Sequence, residues 1–143
     1  MLNGINKILT GDILKLLCDM GHGDELVIAD ANFPAASVAG AHPLIHLPGV
    51  SASELLKAIV PLFPVDWYYS KHPAIVMERT AEDAGKPEPE PWREFRDALG
   101  RDQLEHLERQ AFYDRAKKAY CVIQTGEERQ YGNLILIKGV VLD

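Results

Sequence analysis

The sequence is poor in several things, and each shortage excludes a class of protein. Only two cysteines occur in 143 residues, Cys18 and Cys121, too few for a disulfide scaffold. Each sits in an apolar run, which predicts two buried thiols in a reducing compartment. Basic residues are outnumbered, 15 Lys and Arg against 21 Asp and Glu, for a formal charge of -6. That balance disfavours a nucleic-acid surface, which needs clustered cations. No run approaches the ~18–20 apolar residues of a membrane span, and the first residues lack the basic and apolar regions of a secretory leader. The expected setting is the cytoplasm.

Several catalytic signatures are missing as well. Gly21-His22-Gly23 is not the G-x-G-x-x-G of a dinucleotide site, and no phosphate-cradling G-x-x-x-x-G-K-[ST] occurs. No serine stands in a G-x-S-x-G elbow. His42 and His46 have metal-ligand spacing, but Pro43 and Pro48 predict extended chain there rather than a ligating helix. No metal site is expected on these histidines.

What is present reads as one α/β domain over residues 1–143, with a hydrophobic fraction of 47% ample for a single core. Ile13, Leu16, Leu17 and Met20 recur at helical spacing, and Gly21 is a natural stop. Ser51-Ala52-Ser53-Glu54 opens a second helix as a capping box. Further helices are expected over 92–99 and 111–118. Short, unalternating apolar runs at 26–29, 43–47, 74–77, 119–123 and 133–137 read as strands covered on both faces. Helices alternating with such strands predict a three-layer α/β fold, a mostly parallel sheet between two helical layers. The run Lys86-Pro87-Glu88-Pro89-Glu90-Pro91 reads as a surface loop.

Two stretches carry candidate chemistry. His22 lies between two glycines after a helix whose carbonyl end would favour a protonated ring. Asp30 follows at the carboxyl end of a strand, where open α/β sheets bind ligands. The same pattern fits a surface histidine in a C-cap turn and a loop-capping aspartate. Further on, Arg109 and Tyr113 lie on a helix, and Tyr131 and Asn133 flank a glycine. Asn, Tyr and Arg together offer paired donors and acceptors and an apolar face, the groups that hold a sugar. An ordinary hairpin-like turn fits Tyr131-Gly132-Asn133 equally.

Taken together, Met20-Gly21-His22-Gly23-Asp24-Glu25, Ala29-Asp30-Ala31-Asn32-Phe33-Pro34, Ala111-Phe112-Tyr113-Asp114-Arg115-Ala116 and Tyr131-Gly132-Asn133 resemble the RbsD/FucU family of ribose pyranases and fucose mutarotases. The resemblance runs from Leu14 to Gly139. It implies a cofactor-free catalyst of sugar anomerisation or ring-form exchange. It also implies a ring-shaped homo-oligomer, often a decamer, with sites at subunit contacts. By motif, His22 matches the acid/base histidine and Tyr113 a catalytic tyrosine. Asp30, Tyr131 and Asn133 match sugar-binding positions, and Asp66 matches one more loosely. Arg109 stands where the fucose branch has arginine, so L-fucose is the expected substrate. The region from Ser70 to Glu108 departs most from the family pattern.

Overall fold

Caps and apolar spacing set where the helices begin and what they bury. In the computed structural model, which describes residues 1–142, helix α1 (Gly11–Asp19) begins where the Thr10 side chain accepts the Ile13 N–H. Helix α3 (Ala52–Ile59) begins where the Ser51 hydroxyl accepts the Glu54 N–H at 3.1 Å, the serine half of the expected capping box. Between them lie strand β1 (Glu25–Ala29), the short helix α2 (Ala35–Ala39) and strand β2 (Leu44–Leu47). The chain continues through β3 (Ala74–Met77), α4 (Glu90–Leu99), β4 (Glu105–Leu107), α5 (Arg109–Ala116), β5 (Cys121–Thr125) and β6 (Leu134–Ile137).

The six strands form one sheet in the order β2-β5-β1-β6-β3-β4. Successive residues of a strand point to opposite faces, and the core divides accordingly. Leu26, Ile28, Cys121, Ile123, Leu134 and Leu136 face a layer built from α1, α3 and α4, with Trp92 and Phe95 fully buried in it. Val27, Ala29, Val122 and Ile135 face α2 and α5, where Phe112 is fully buried. The expected three layers are therefore present.

Five strands run one way. Strand β6 runs the other, antiparallel to both β1 and β3, and this reversal turns out to build the site.

One expectation needs correction, and two elements carried no signal in the sequence. Cys18 is exposed, although Cys121 is buried: α1 turns Ile13 and Leu17 to the core, and at 100° per residue the next position faces away. The stretch after Phe33 continues into α2, a turn of small residues with no periodicity to reveal it. Strand β4 was not expected because Glu105-His106-Leu107 is a polar edge strand held only against β3.

Candidate functional site

Because β6 is antiparallel to β1, its first residues lie beside the last residues of β1, with Ile28 paired to Leu134. One step outward on each strand, the Asp30 N–H donates to Asn133 Oδ1 at 2.7 Å, and Asn133 Nδ2 donates to Asp30 Oδ2 at 3.1 Å. The Asn32 N–H donates to Asp30 Oδ1 at 3.0 Å. Both side chains are buried. Burial pushes the Asp30 carboxyl above its ordinary pKa, against the backbone donors and the Asn133 amide that favour its charge.

Tyr131 precedes Asn133 with φ +62°, in the left-handed region, the single non-glycine among the described residues to adopt it. Its carbonyl accepts the Trp92 indole N–H at 3.0 Å. The intervening Gly132 cannot carry a side chain, since a Cβ there would lie 2.7 Å from the Glu127 Cγ. That buried glutamate, with Glu94, clamps Arg129 from two sides. The Glu127 carbonyl also accepts the Ala31 N–H at 2.8 Å. The Tyr131-Gly132-Asn133 turn is thus braced from below.

Helix α5 supplies the opposite wall. Arg109 and Tyr113 are one helical turn apart, with Arg109 Nε donating to the Tyr113 hydroxyl at 3.4 Å and its guanidinium carbon 5.4 Å from the ring centre. Phe33 packs edge-on against Tyr113 at 5.4 Å between ring centres. The result is an open cleft of about 370 Å³ with Asp30, Phe33, Arg109, Tyr113, Tyr131 and Asn133 on its walls. Five of the seven expected site residues therefore meet in one place. Thr80 and Asp83 line the same cleft; no sequence signal singled them out, because both sit in the region that departs from the family pattern.

His22 and Asp66 do not share this cleft. Gly23, whose φ of +88° needs glycine, turns the chain into the amino end of β1, whereas Asp30 leaves its carboxyl end. The five residues of β1 separate the two ends by about 16 Å at ~3.3 Å per residue. At its own end His22 Nε2 lies 3.3 Å from Asp66 Oδ2. Its ring centre is 5.1 Å from that of Tyr69. Asp66 is buried and accepts the Tyr69 N–H at 3.3 Å, while the His22 side chain is 43% exposed. Within one chain this imidazole and the Asp30–Asn133 pair stand at opposite ends of β1, and the direction of β1 is the reason.

The expected influence of the α1 carbonyl end on His22 is also altered. Lys138 Nζ takes those carbonyls, donating to the Leu17 oxygen at 2.6 Å and to the Met20 oxygen, so a fixed cation already answers the helix end. A larger volume, about 580 Å³, lies beside Arg129, Glu94 and Lys57; it is a shallow, ion-paired surface and gathers none of the expected site residues.

The chain is similar throughout its length to known proteins. The sequence pattern of the family described as "RbsD / FucU transport protein family" matches residues 3–141. A relative from Danio rerio named fucose mutarotase is 48% identical over 99% of this chain and 95% of its own. The crystal structure of FucU from Bifidobacterium longum superposes with a TM-score of 0.91 at 44% identity, covering 98% of this chain and 100% of that one. A fucose mutarotase from Streptococcus pneumoniae, solved in complex with L-fucose, gives 0.88 at 42% identity, covering 99% and 100%. With one pattern spanning nearly every residue and one fold underlying it, this chain belongs to the RbsD/FucU family.

Proposed function

We propose that this protein is an L-fucose mutarotase, an isomerase that interconverts the α and β anomers of the sugar without a cofactor. The observation that carries the reading is the cleft in which the Asp30–Asn133 pair, Tyr131 and the Arg109–Tyr113 pair converge. A buried carboxylate, an amide, a guanidinium and two phenols offer donors and acceptors to several hydroxyls at once, and Phe33 and the tyrosine rings offer apolar faces to C–H groups. The two relatives named for fucose mutarotation support L-fucose in particular.

Anomerisation removes the anomeric hydroxyl proton and protonates the ring oxygen, breaking the bond between C1 and that oxygen. The aldehyde rotates, and closure on the other face reverses both transfers. Net composition is unchanged. An imidazole gives and takes protons near neutral pH, which makes His22 the acid/base group, and Tyr113 is the second proton-handling group, with Arg109 against its hydroxyl. Asp30, Tyr131 and Asn133 fix the sugar.

Because His22 and Asp66 lie at the far end of β1, a second copy must supply them. The His22–Asp66 end of one subunit would close the cleft of the next, with Tyr68 and Tyr69, 76% and 61% exposed, beside the junction. Such a contact joins unlike surfaces, and repeated by rotation it closes a ring. A homo-oligomeric ring, a decamer in the family's habit, is therefore part of the proposal. The two free cysteines fit a cytoplasmic setting.

Exchange NMR on the equilibrium α/β mixture of L-fucose tests the reading. The expected result is anomer exchange faster with protein than in buffer, and faster for L-fucose than for D-ribose. Binding of L-fucose with no acceleration would make the protein a monosaccharide-binding protein and overturn the proposal.

A further inference from the structure

The loop between β3 and α4 occupies the part of the sequence that departs most from the family pattern, and it reaches into the cleft. Thr80 and Asp83 both line that cleft beside Tyr131. Asp83 Oδ2 accepts the Tyr131 hydroxyl proton at 2.5 Å. The Thr80 N–H donates to the same hydroxyl oxygen at 3.3 Å. We infer that Asp83, together with the Thr80 backbone, is a positioning residue that fixes the Tyr131 hydroxyl as a hydrogen-bond acceptor toward the sugar. The inference rests on the mutarotase reading and extends it.

The argument is one of counting. A phenol has one proton to donate and two lone pairs. Here the proton is committed to Asp83, one lone pair faces the Thr80 N–H, and Thr80 Oγ1 lies 3.4 Å from the same oxygen. The Tyr131 oxygen has no proton left to give, so a sugar hydroxyl that reaches it in place of the Thr80 hydroxyl must be the donor. Asp83 can hold this role because its other oxygen is tied down: Oδ1 lies 2.7 Å from Lys86 Nζ. Both partners, Lys86 foremost, hold its carboxyl below the ordinary pKa, so it stays ionised and acceptor-only at neutral pH. The loop itself is pinned. The Asp83 N–H donates to the Thr80 carbonyl at 3.0 Å, the Lys86 N–H to the Asp83 carbonyl at 3.0 Å, and the Arg79 guanidinium to the Lys86 carbonyl at 2.7 Å. On the other side, the Trp92 bond to the Tyr131 carbonyl and the braced glycine that follows prevent the ring from swinging away.

An alternative role, in which Asp83 binds the sugar on its own account, predicts different behaviour when the two residues are changed together. The test is a double-mutant cycle of Asp83→Asn and Tyr131→Phe in the assembled protein, read as KM and kcat for L-fucose by exchange NMR. Each single variant is expected to raise KM about tenfold, the worth of one charge-assisted hydrogen bond, with little change in kcat. The double variant is expected to be no worse than Tyr131→Phe alone. Effects that multiply, or an Asp83→Asn protein indistinguishable from wild type, would overturn the inference. Should Asp83→Asn melt below the assay temperature, Asp83→Ser completes the same cycle. A wild-type protein that fails to accelerate exchange refutes the mutarotase reading instead, so the two failures are told apart by the control.

Discussion

The two ends of β1 are built on different terms. At the carboxyl end, Asp30 and Asn133 are buried, exchange hydrogen bonds in both directions and sit on a turn braced by Arg129. At the amino end, Asp66 is equally buried, but the imidazole it faces is nearly half exposed, held by one 3.3 Å polar contact and the neighbouring Tyr69 ring. The first end is preorganised within one chain, as a site that must orient a polyol has to be. The second presents an imidazole outward to solvent. On the proposed function, the contrast gives sugar binding and Tyr113 to one end and the imidazole to the other, and assembly becomes a condition of catalysis.

The sharpest way to break this division is His22→Ala. Loss of a general acid/base typically costs ~10²–10⁴ in rate, so anomer exchange is expected to fall by about that factor in kcat. L-fucose binding, measured by saturation-transfer NMR, should survive. A variant that loses binding instead would place His22 in the grasping set.

Next in size is Asn133→Ala. It leaves the buried Asp30 carboxylate and backbone N–H short of partners, which costs about 1–3 kcal/mol. The expected outcome is a lowered Tm as well as lost sugar affinity. The corresponding change at the other end, Asp66→Asn, should weaken the hold on His22 with a smaller loss of Tm. Equal losses of Tm would erase the distinction.

The gentlest probe is pH. Arg129 holds Glu94 down to about 2 from an ordinary 4.5 and lowers Glu127 in the same direction. A carboxylate whose folded pKa is depressed stabilises the protein above its unfolded pKa, and that stability drains as pH falls from about 4.5 toward 2. Asp30, shifted upward, works against this slope. Thermal melts across that window should show a falling Tm, and Arg129→Met should flatten the fall. An unchanged slope in that variant would separate the brace from the acid stability.

Much of this is legible in the sequence alone, for identifiable reasons. Strand β3, Ala74–Met77, is four consecutive buried residues, so composition alone reveals it. The Ser51 cap is a local hydrogen bond, and local chemistry is what short motifs record. The family motifs named His22, Asp30, Tyr113 and Asn133 without saying which of them meet. That depended on the reversed direction of β6, a long-range choice that Leu134-Ile135-Leu136-Ile137 does not encode, since an apolar run reads the same in either orientation. Thr80 and Asp83 were invisible for a related cause: their significance lies in a partner about 50 residues away, across the cleft. Cys18 misled because an apolar neighbourhood in sequence is not a buried face on a helix.

The central claim is that each working site draws its proton-transfer group and its sugar-binding groups from different copies. Mixing His22→Ala with Asp30→Asn after dissociation and reassembly tests it directly. If neighbouring subunits share sites, about a quarter of the junctions in a random one-to-one mixture combine an intact cleft with an intact imidazole, and two nearly inactive proteins should recover activity to roughly that fraction of wild type. If the mixture performs no better than the average of its parts, each site is made by a single chain and the account is wrong.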